Sequence, residues 1–330
     1  MHSAGSAPRS NSTLTLESVR GARELLRGIV PVSRVISADS LSAASRARVF
    51  LKLECEGPTG SFKVRGAYHA IFRRKESGVL RGVVTSSTGN HGAAVAYVAK
   101  LLGVPARVYL PENPNPVKRA RIAAQGAEII ETGAFLEADR ELAAQFAEES
   151  GWFNIVDGVE PEMLPGTATI GCEIVEQIPD VDVLFIPVGD STLIRGVAFA
   201  AKQLRPEVKI IGVQAERAAA YALSFRTGHA VSTDSSDTIA DGLAVRHASE
   251  ENVREISALV DNFILVSEEE MLAAVRKLIL EEHVIAEPSG AAATAALLKS
   301  GEKFAGKNVV LLVTGANIPE EILLRALQSR

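Results

Sequence analysis

The sequence predicts an α/β protein in which a mainly parallel sheet is covered by helices on both faces. Three observations carry this. Short apolar runs alternate with segments of helical period along almost the whole 330-residue chain, the order that lays parallel strands side by side with helices between them. The longest runs, 181–188 and 309–313, are too short to cross a membrane and read as buried strands. The composition, 47% hydrophobic and 23% charged, is that of a globular protein with room for one big domain or two moderate ones.

The elements follow in order. Residues 1–12, within a lead-in of 1–14 expected to be disordered, have no apolar period and lack the cationic start and apolar centre of a secretory signal. A helix begins near Thr15, with Leu16, Val19, Arg23 and Leu26 roughly on one side, and Pro31 ends it. Strand 49–53 leads through a Gly-Pro-Thr-Gly turn at 57–60 into a helix that carries Ala67, Ala70 and Ile71 and runs to about Ser77. Strand 83–85, a polar stretch 86–92 and an Ala-rich helix closed by Gly103 come next. Strand 108–110 precedes Asn115-Pro116, which read as N-cap and first helical residue, with Gly126 as the stop. Strand 129–130 is followed by a stripe of Phe135, Ala138, Leu142 and Phe146 that ends at Gly151.

Strand 153–156 leads to a helix carrying Ile170, Ile174 and Ile178. Strand 181–188 leads through 189–193 to a helix reaching about Leu204, and strand 209–214 to a helix over 218–227. Strand 263–266 precedes a helix opened by a capping box of Ser267 and Glu270. A helix over 288–298, strand 309–313 and a helix behind Pro319 ending near Gln328 complete the chain. No internal repeat or low-complexity tract interrupts this order.

A net charge of −5 leaves no basic footprint for nucleic acid or an anionic membrane. The cysteines, Cys55 and Cys172, do not make a disulfide framework and read as buried thiols of a cytoplasmic protein.

The chemistry lies in the loops. At 59–63, 86–91, 189–193 and 314–317 an apolar strand gives way to a small or hydroxylated polar loop and then a helix. Each such loop offers backbone N–H groups and hydroxyls at a helix start, which suits an anion. One alone is no more than a turn; four along one sheet edge point to a ligand site, since ligands of parallel sheets bind beyond the carboxyl ends of the strands. Lys63 stands at such a helix start, where the macrodipole disfavours a cation. That setting lowers an amine's pKa and readies it for a Schiff base, the alternative being a solvated lysine beside a turn.

With Ser-Phe-Lys-Val-Arg-Gly-Ala at 61–67 and Ser87-Thr88-Gly89-Asn90-His91, in this order and spacing, the chain resembles the fold type II pyridoxal-phosphate enzymes from about Thr15 onward. Within them it is most similar to the serine and threonine dehydratase and serine racemase branch. The resemblance implies two open twisted sheets, with 1–81 and 157–330 forming a large cofactor-binding domain and 82–156 a small mobile one. It implies pyridoxal 5′-phosphate as cofactor, with Lys63 as its Schiff-base lysine, Phe62 packing near the ring and Asn90 bonding the phenolic oxygen. Ser87, Thr88, Gly89, Asn90 and His91 would clasp the substrate carboxylate, the lesser alternative for His91 being a satisfied core histidine. Gly189, Asp190, Ser191, Thr192 and Leu193 would hold the phosphate. The dehydratases have four glycines before the apolar residue here, and an aspartate beside a dianion is unfavourable unless it points away or receives N–H bonds. Gly242 passes beside the cofactor, Glu287 lies near the ring, and Thr314 faces the pyridine nitrogen. The remaining histidines, His69 among them, read as surface or incidental, and Glu216 alone is too few acids for the divalent cation that some relatives carry, so no metal is expected.

The activity implied is β-elimination of a β-hydroxy amino acid, L-threonine or L-serine, to a 2-oxo acid and ammonia. Lys63 serves as general base. Thr88, which stands where the racemase has serine and many dehydratases have alanine, keeps racemisation open as an alternative. The altered phosphate loop keeps open a lyase for a larger β-substituted amino acid. A cofactor-binding protein without turnover is the non-enzymatic reading. The family is commonly dimeric, so a homodimer is expected, and the absence of further sequence after the last helix suggests an enzyme without a regulatory domain.

Overall fold

The computed structural model describes residues 14–87, 89–133 and 136–328. The lead-in to residue 13, Thr88 and Phe135 lie outside them. The chain opens with α1 (Leu16–Leu26), capped by Thr15 in a reciprocal box with Ser18, then β1 (Val35–Ser37), α2 (Asp39–Ser45) and β2 (Arg48–Leu53). After α3 (Lys63–Glu76) come β3 (Val83–Ser86), α4 (Asn90–Leu102), β4 (Ala106–Pro111), α5 (Pro116–Ala124), β5 (Glu128–Gly133), α6 (Leu136–Ser150) and β6 (Phe153–Asn154). The rest is α7 (Met163–Gln177), β7 (Val183–Pro187), α8 (Thr192–Leu204), β8 (Lys209–Ala215), α9 (Ala220–Thr227), α10 (Glu250–Leu259), β9 (Asn262–Val266), α11 (Glu268–Glu281), α12 (Pro288–Ser300), β10 (Asn308–Val313) and α13 (Glu320–Gln328).

These strands form two sheets. One has the order β1-β2-β10-β7-β8-β9 and is parallel except for the edge pair β1 and β2; the other, β5-β4-β3-β6, is parallel throughout. Both faces of the larger sheet are covered, because alternate residues of the same strands feed two separate apolar clusters. Val309, Leu311 and Val313 pack with α11 and α12, while Val310 and Leu312 pack with α7 and α8. The Ser267–Glu270 capping box forms as expected.

Differences from expectation have local causes. Strand 181–188 narrows to β7 because Val181 turns its N–H back to the Ile178 carbonyl and Val188 gives β8 only its N–H, to the Val213 carbonyl. Three elements, β1, α2 and α10, are additional. β1 is a three-residue edge strand without full burial, and α10 buries only Asn252, Val253 and Ile256, too few apolar positions for a clear period.

One feature of the core is ionic. Arg65, 1% exposed, reaches from α3 to Glu54 (2.9 Å) and to Glu173 of α7 (2.6 Å), and Glu173 also takes the Lys52 ammonium at 2.6 Å. Arg65 therefore holds α3 against α7 and the short turn, Glu54–Glu56, that follows β2.

The reading of His69 as incidental is corrected. It is buried, and its Nδ1–H donates to the Glu162 carbonyl at 2.6 Å. Burial lowers the pKa of His69 and of His91 below the usual range. The unfolded chain then takes up protons that the native state refuses, so their contribution to stability is lost as pH falls below about 6.5. His69→Gln keeps a donor for Glu162. It is expected to lose less stability than the parent between pH 7.5 and 5.5, measured by urea unfolding. Equal losses in both proteins would refute a buried neutral His69.

Candidate active site

The strand ends of the two sheets face one another, and the residues picked out from the sequence meet between them. Phe62, Lys63, Asn90, Gly189, Asp190, Ser191, Thr192, Leu193, Gly242, Glu287 and Thr314 line one cavity. Ser87 and His91 line an adjoining one that shares Lys63 and Asn90 with it. Gly89 lies in the same loop as the N-cap of α4.

Lys63 is the first residue of α3, and no side chain caps that helix. Its ammonium sits 4.8 Å from the Phe62 ring centroid and pairs with Asp157, a residue the sequence reading did not select. Asp157 Oδ1 also accepts from the Thr192 hydroxyl at 2.6 Å and from the Gly158 amide at 3.0 Å. Burial alone would raise this carboxyl, but the Lys63 charge, with the hydrogen bonds from Lys63 and Thr192, holds it well below the usual range. Asp157 follows an apolar strand in a polar loop, and that shared design is the signal that could have found it.

Asn90 opens α4. One N–H of its amide goes to Glu287 at 2.5 Å, and its oxygen accepts from Asn317 at 2.7 Å. The amide orientation is therefore set from the larger sheet. Glu287 also pairs at 2.9 Å with Lys118 of α5, which binds Asp241 at 2.6 Å. Lys118 is 2% exposed; burial opposes its charge, but Glu287 and Asp241 raise its pKa above the ordinary lysine range. Its stem lies against Gly89, where a Cβ would come within 2.0 Å of Lys118 Cδ. Nothing in the sequence separates Lys118 from a solvated helical lysine.

Ser87 Oγ accepts from the Gly89 and Gly92 amides, both at 3.0 Å, so it ties the loop to the start of α4 and keeps its own hydrogen to donate. His91 Nε2–H donates to the Ile155 carbonyl at 3.1 Å. In that tautomer the other ring nitrogen, Nδ1, is a buried acceptor without a hydrogen-bond partner.

The loop before α8 is built for an anion. Ser191 has φ 77°, no side chain caps the helix, and the buried Ser191 hydroxyl has no hydrogen-bond partner. Gly189 passes so close to Gly242 that a Cβ would lie 2.3 Å from its carbonyl oxygen. Asp190 turns its carboxylate to Arg140 of α6, at 3.2 and 3.3 Å. Thr314, at the end of β10, is buried, and its hydroxyl donates weakly to the Ser289 carbonyl at 3.5 Å. Among the described residues no group of three or more His, Cys, Asp or Glu side chains could hold a metal, and no helix is long and apolar enough to cross a membrane.

A lysine amine at a helix start, a fixed amide beside it and an uncapped helix N-terminus across the cavity define a class: pyridoxal-phosphate enzymes of fold type II. The chain belongs to the family described as pyridoxal-phosphate dependent enzyme, whose profile matches residues 26–315. It is 35% identical over 312 residues to L-threonine ammonia-lyase of Thermotoga maritima, covering 94% of this chain and 78% of that protein. It is 36% identical over 309 residues to a catabolic L-threonine dehydratase of Staphylococcus aureus, covering 92% and 89%. The structure of maize serine racemase superimposes with a TM-score of 0.88 at 31% identity, covering 94% and 96%. The cofactor is pyridoxal 5′-phosphate, and the residues present fit it: the unsatisfied Ser191 hydroxyl and the open start of α8 suit a phosphate, and Lys63 suits an aldehyde.

Proposed function

We propose that the enzyme eliminates water from a β-hydroxy amino acid, L-threonine or L-serine, and releases a 2-oxo acid and ammonia. The observation that carries this reading is the convergence of Lys63, Asn90 and the loop of Ser87 and His91 on one space, joining a general base to a carboxylate-binding helix start. Relatives named for L-threonine support the choice of reaction.

Pyridoxal phosphate, when bound, supplies the electron sink that makes an amino acid's Cα–H bond acidic. The chain's own residues do the rest. Lys63 takes the α-proton as general base, and Asp157 holds the resulting ammonium beside the site. Backbone N–H groups of the loop Ser87-Thr88-Gly89-Asn90-His91, with the Ser87 hydroxyl, bind the substrate carboxylate at the start of α4. Asn90 keeps a second N–H for the ring's phenolic oxygen. Phe62, Gly242 and Glu287 would flank the ring, and the loop from Gly189 through Asp190, Ser191 and Thr192 to Leu193 would hold the phosphate. Thr314 would face the pyridine nitrogen, and a hydroxyl there, unlike a carboxylate, would not hold that nitrogen protonated, which suits elimination. Residues 82–156 act as the small domain that closes over substrate and excludes water. The enzyme works as a homodimer, which sedimentation checks directly.

Racemisation is the second reading, favoured by the likeness to maize serine racemase. The test is release of 2-oxo acid from a panel of β-hydroxy amino acids with cofactor supplied, followed by chiral analysis of the amino acid left. Rapid release from L-threonine or L-serine is expected. A cofactor spectrum that responds to both, with no oxo acid and with D-enantiomer accumulating, would replace the lyase by a racemase.

A further inference from the structure

We propose that Arg140 is the countercharge that allows an acidic residue to stand in the phosphate loop, and that through it α6 takes part in holding the cofactor phosphate. The inference rests on the reading of 189–193 as that loop.

Asp190 occupies its second position, immediately before the open start of α8. The carboxylate is only 25% exposed, and Gly158, at φ +78°, packs so tightly that a Cβ there would lie 2.4 Å from the Asp190 carbonyl oxygen. The loop is thus walled on that side. Asp157, already ionised, lines the same cavity. A phosphate dianion entering here meets two carboxylates, and like charges at short range are costly in a partly dry site.

The cations lining the adjoining cavity, which Asp157 and Asp190 also line, are, among the described residues, Lys63, Lys118 and Arg140. Lys63 is committed to the cofactor carbonyl, and Lys118 is held by Asp241 and Glu287. Arg140 is the cation that meets Asp190, at 3.2 Å. It reaches there from α6, which packs on β3, β4, β5 and β6 of the smaller sheet. Burial pushes the Asp190 carboxyl above its usual range, and Arg140 is the foremost influence opposing that rise. Arg140 is therefore a positioning residue: it draws the carboxylate off the phosphate and links the loop to the smaller sheet.

The test is the dissociation constant for pyridoxal phosphate and, separately, for pyridoxal, on resolved protein, with the ³¹P resonance of the bound cofactor as a second readout. Arg140→Ala is expected to weaken pyridoxal phosphate about tenfold and leave pyridoxal unchanged. Adding Asp190→Asn should restore affinity to within about twofold of the parent and return the ³¹P shift, while Arg140→Lys should fall between. Unchanged affinity in Arg140→Ala, an equal loss for both ligands, or a double variant no better than the single one would overturn the proposal. A parent protein that binds both ligands equally would instead overturn the phosphate-loop reading beneath it.

Discussion

Lys63→Ala is expected to give a folded, colourless protein whose turnover is lower by about four orders of magnitude or more. The substitution removes both the covalent link to the cofactor and the base that takes the α-proton. It also strips Asp157, a buried carboxylate, of its cation, though the Thr192 hydroxyl and Gly158 amide still satisfy it. A small loss of stability is therefore expected beside the large loss of activity. Absorbance in the visible range reports the link, a melting curve reports the fold, and oxo-acid release reports turnover. Retained turnover would sink the mechanism, because no other lysine of the cavity is free for the role: Lys118 is locked between two carboxylates.

The second large effect is on stability. Arg65→Met should destabilise the protein by about 3–5 kcal/mol, because it leaves the buried Glu54 and Glu173 carboxylates with less countercharge than they need. At roughly 2 °C per kcal/mol for a chain of this size, the melting temperature should drop by about 6–10 °C. Glu54→Gln in the same chain should recover part of the loss, since the uncompensated charge and not the missing stem is the main cost. An unchanged melting temperature would show that Lys52 alone balances the cluster.

Arg65 shows how a motif read as one unit divides in the structure. Within Ser61–Ala67, Lys63 points into the cavity while Arg65, two residues on, lies on the other side of α3 in a closed ionic cluster. The sequence marked both by resemblance, but only packing separates a residue that faces ligand from one that fastens the helix. His69 makes the same point. Its spacing fits no ligand set, so it read as incidental, yet it is a buried donor to the Glu162 carbonyl.

What the sequence determined by itself was the order of most strands and helices, though not β1, α2 or α10, together with the strand-end loops and the lysine, asparagine and threonine placed in them. These depend on local rules: apolar periodicity over a few residues, turn chemistry, and the donors that a helix start leaves unpaired. Tertiary structure decided the partners. Asp157 meets Lys63 across 94 residues, Asp241 meets Lys118 across 123, and Asp190 meets Arg140 across 50. No periodicity encodes such pairs, because they arise only when the two sheets bring their strand ends together. At that range a charge that looks solvated in the sequence becomes buried, and burial makes its partner matter.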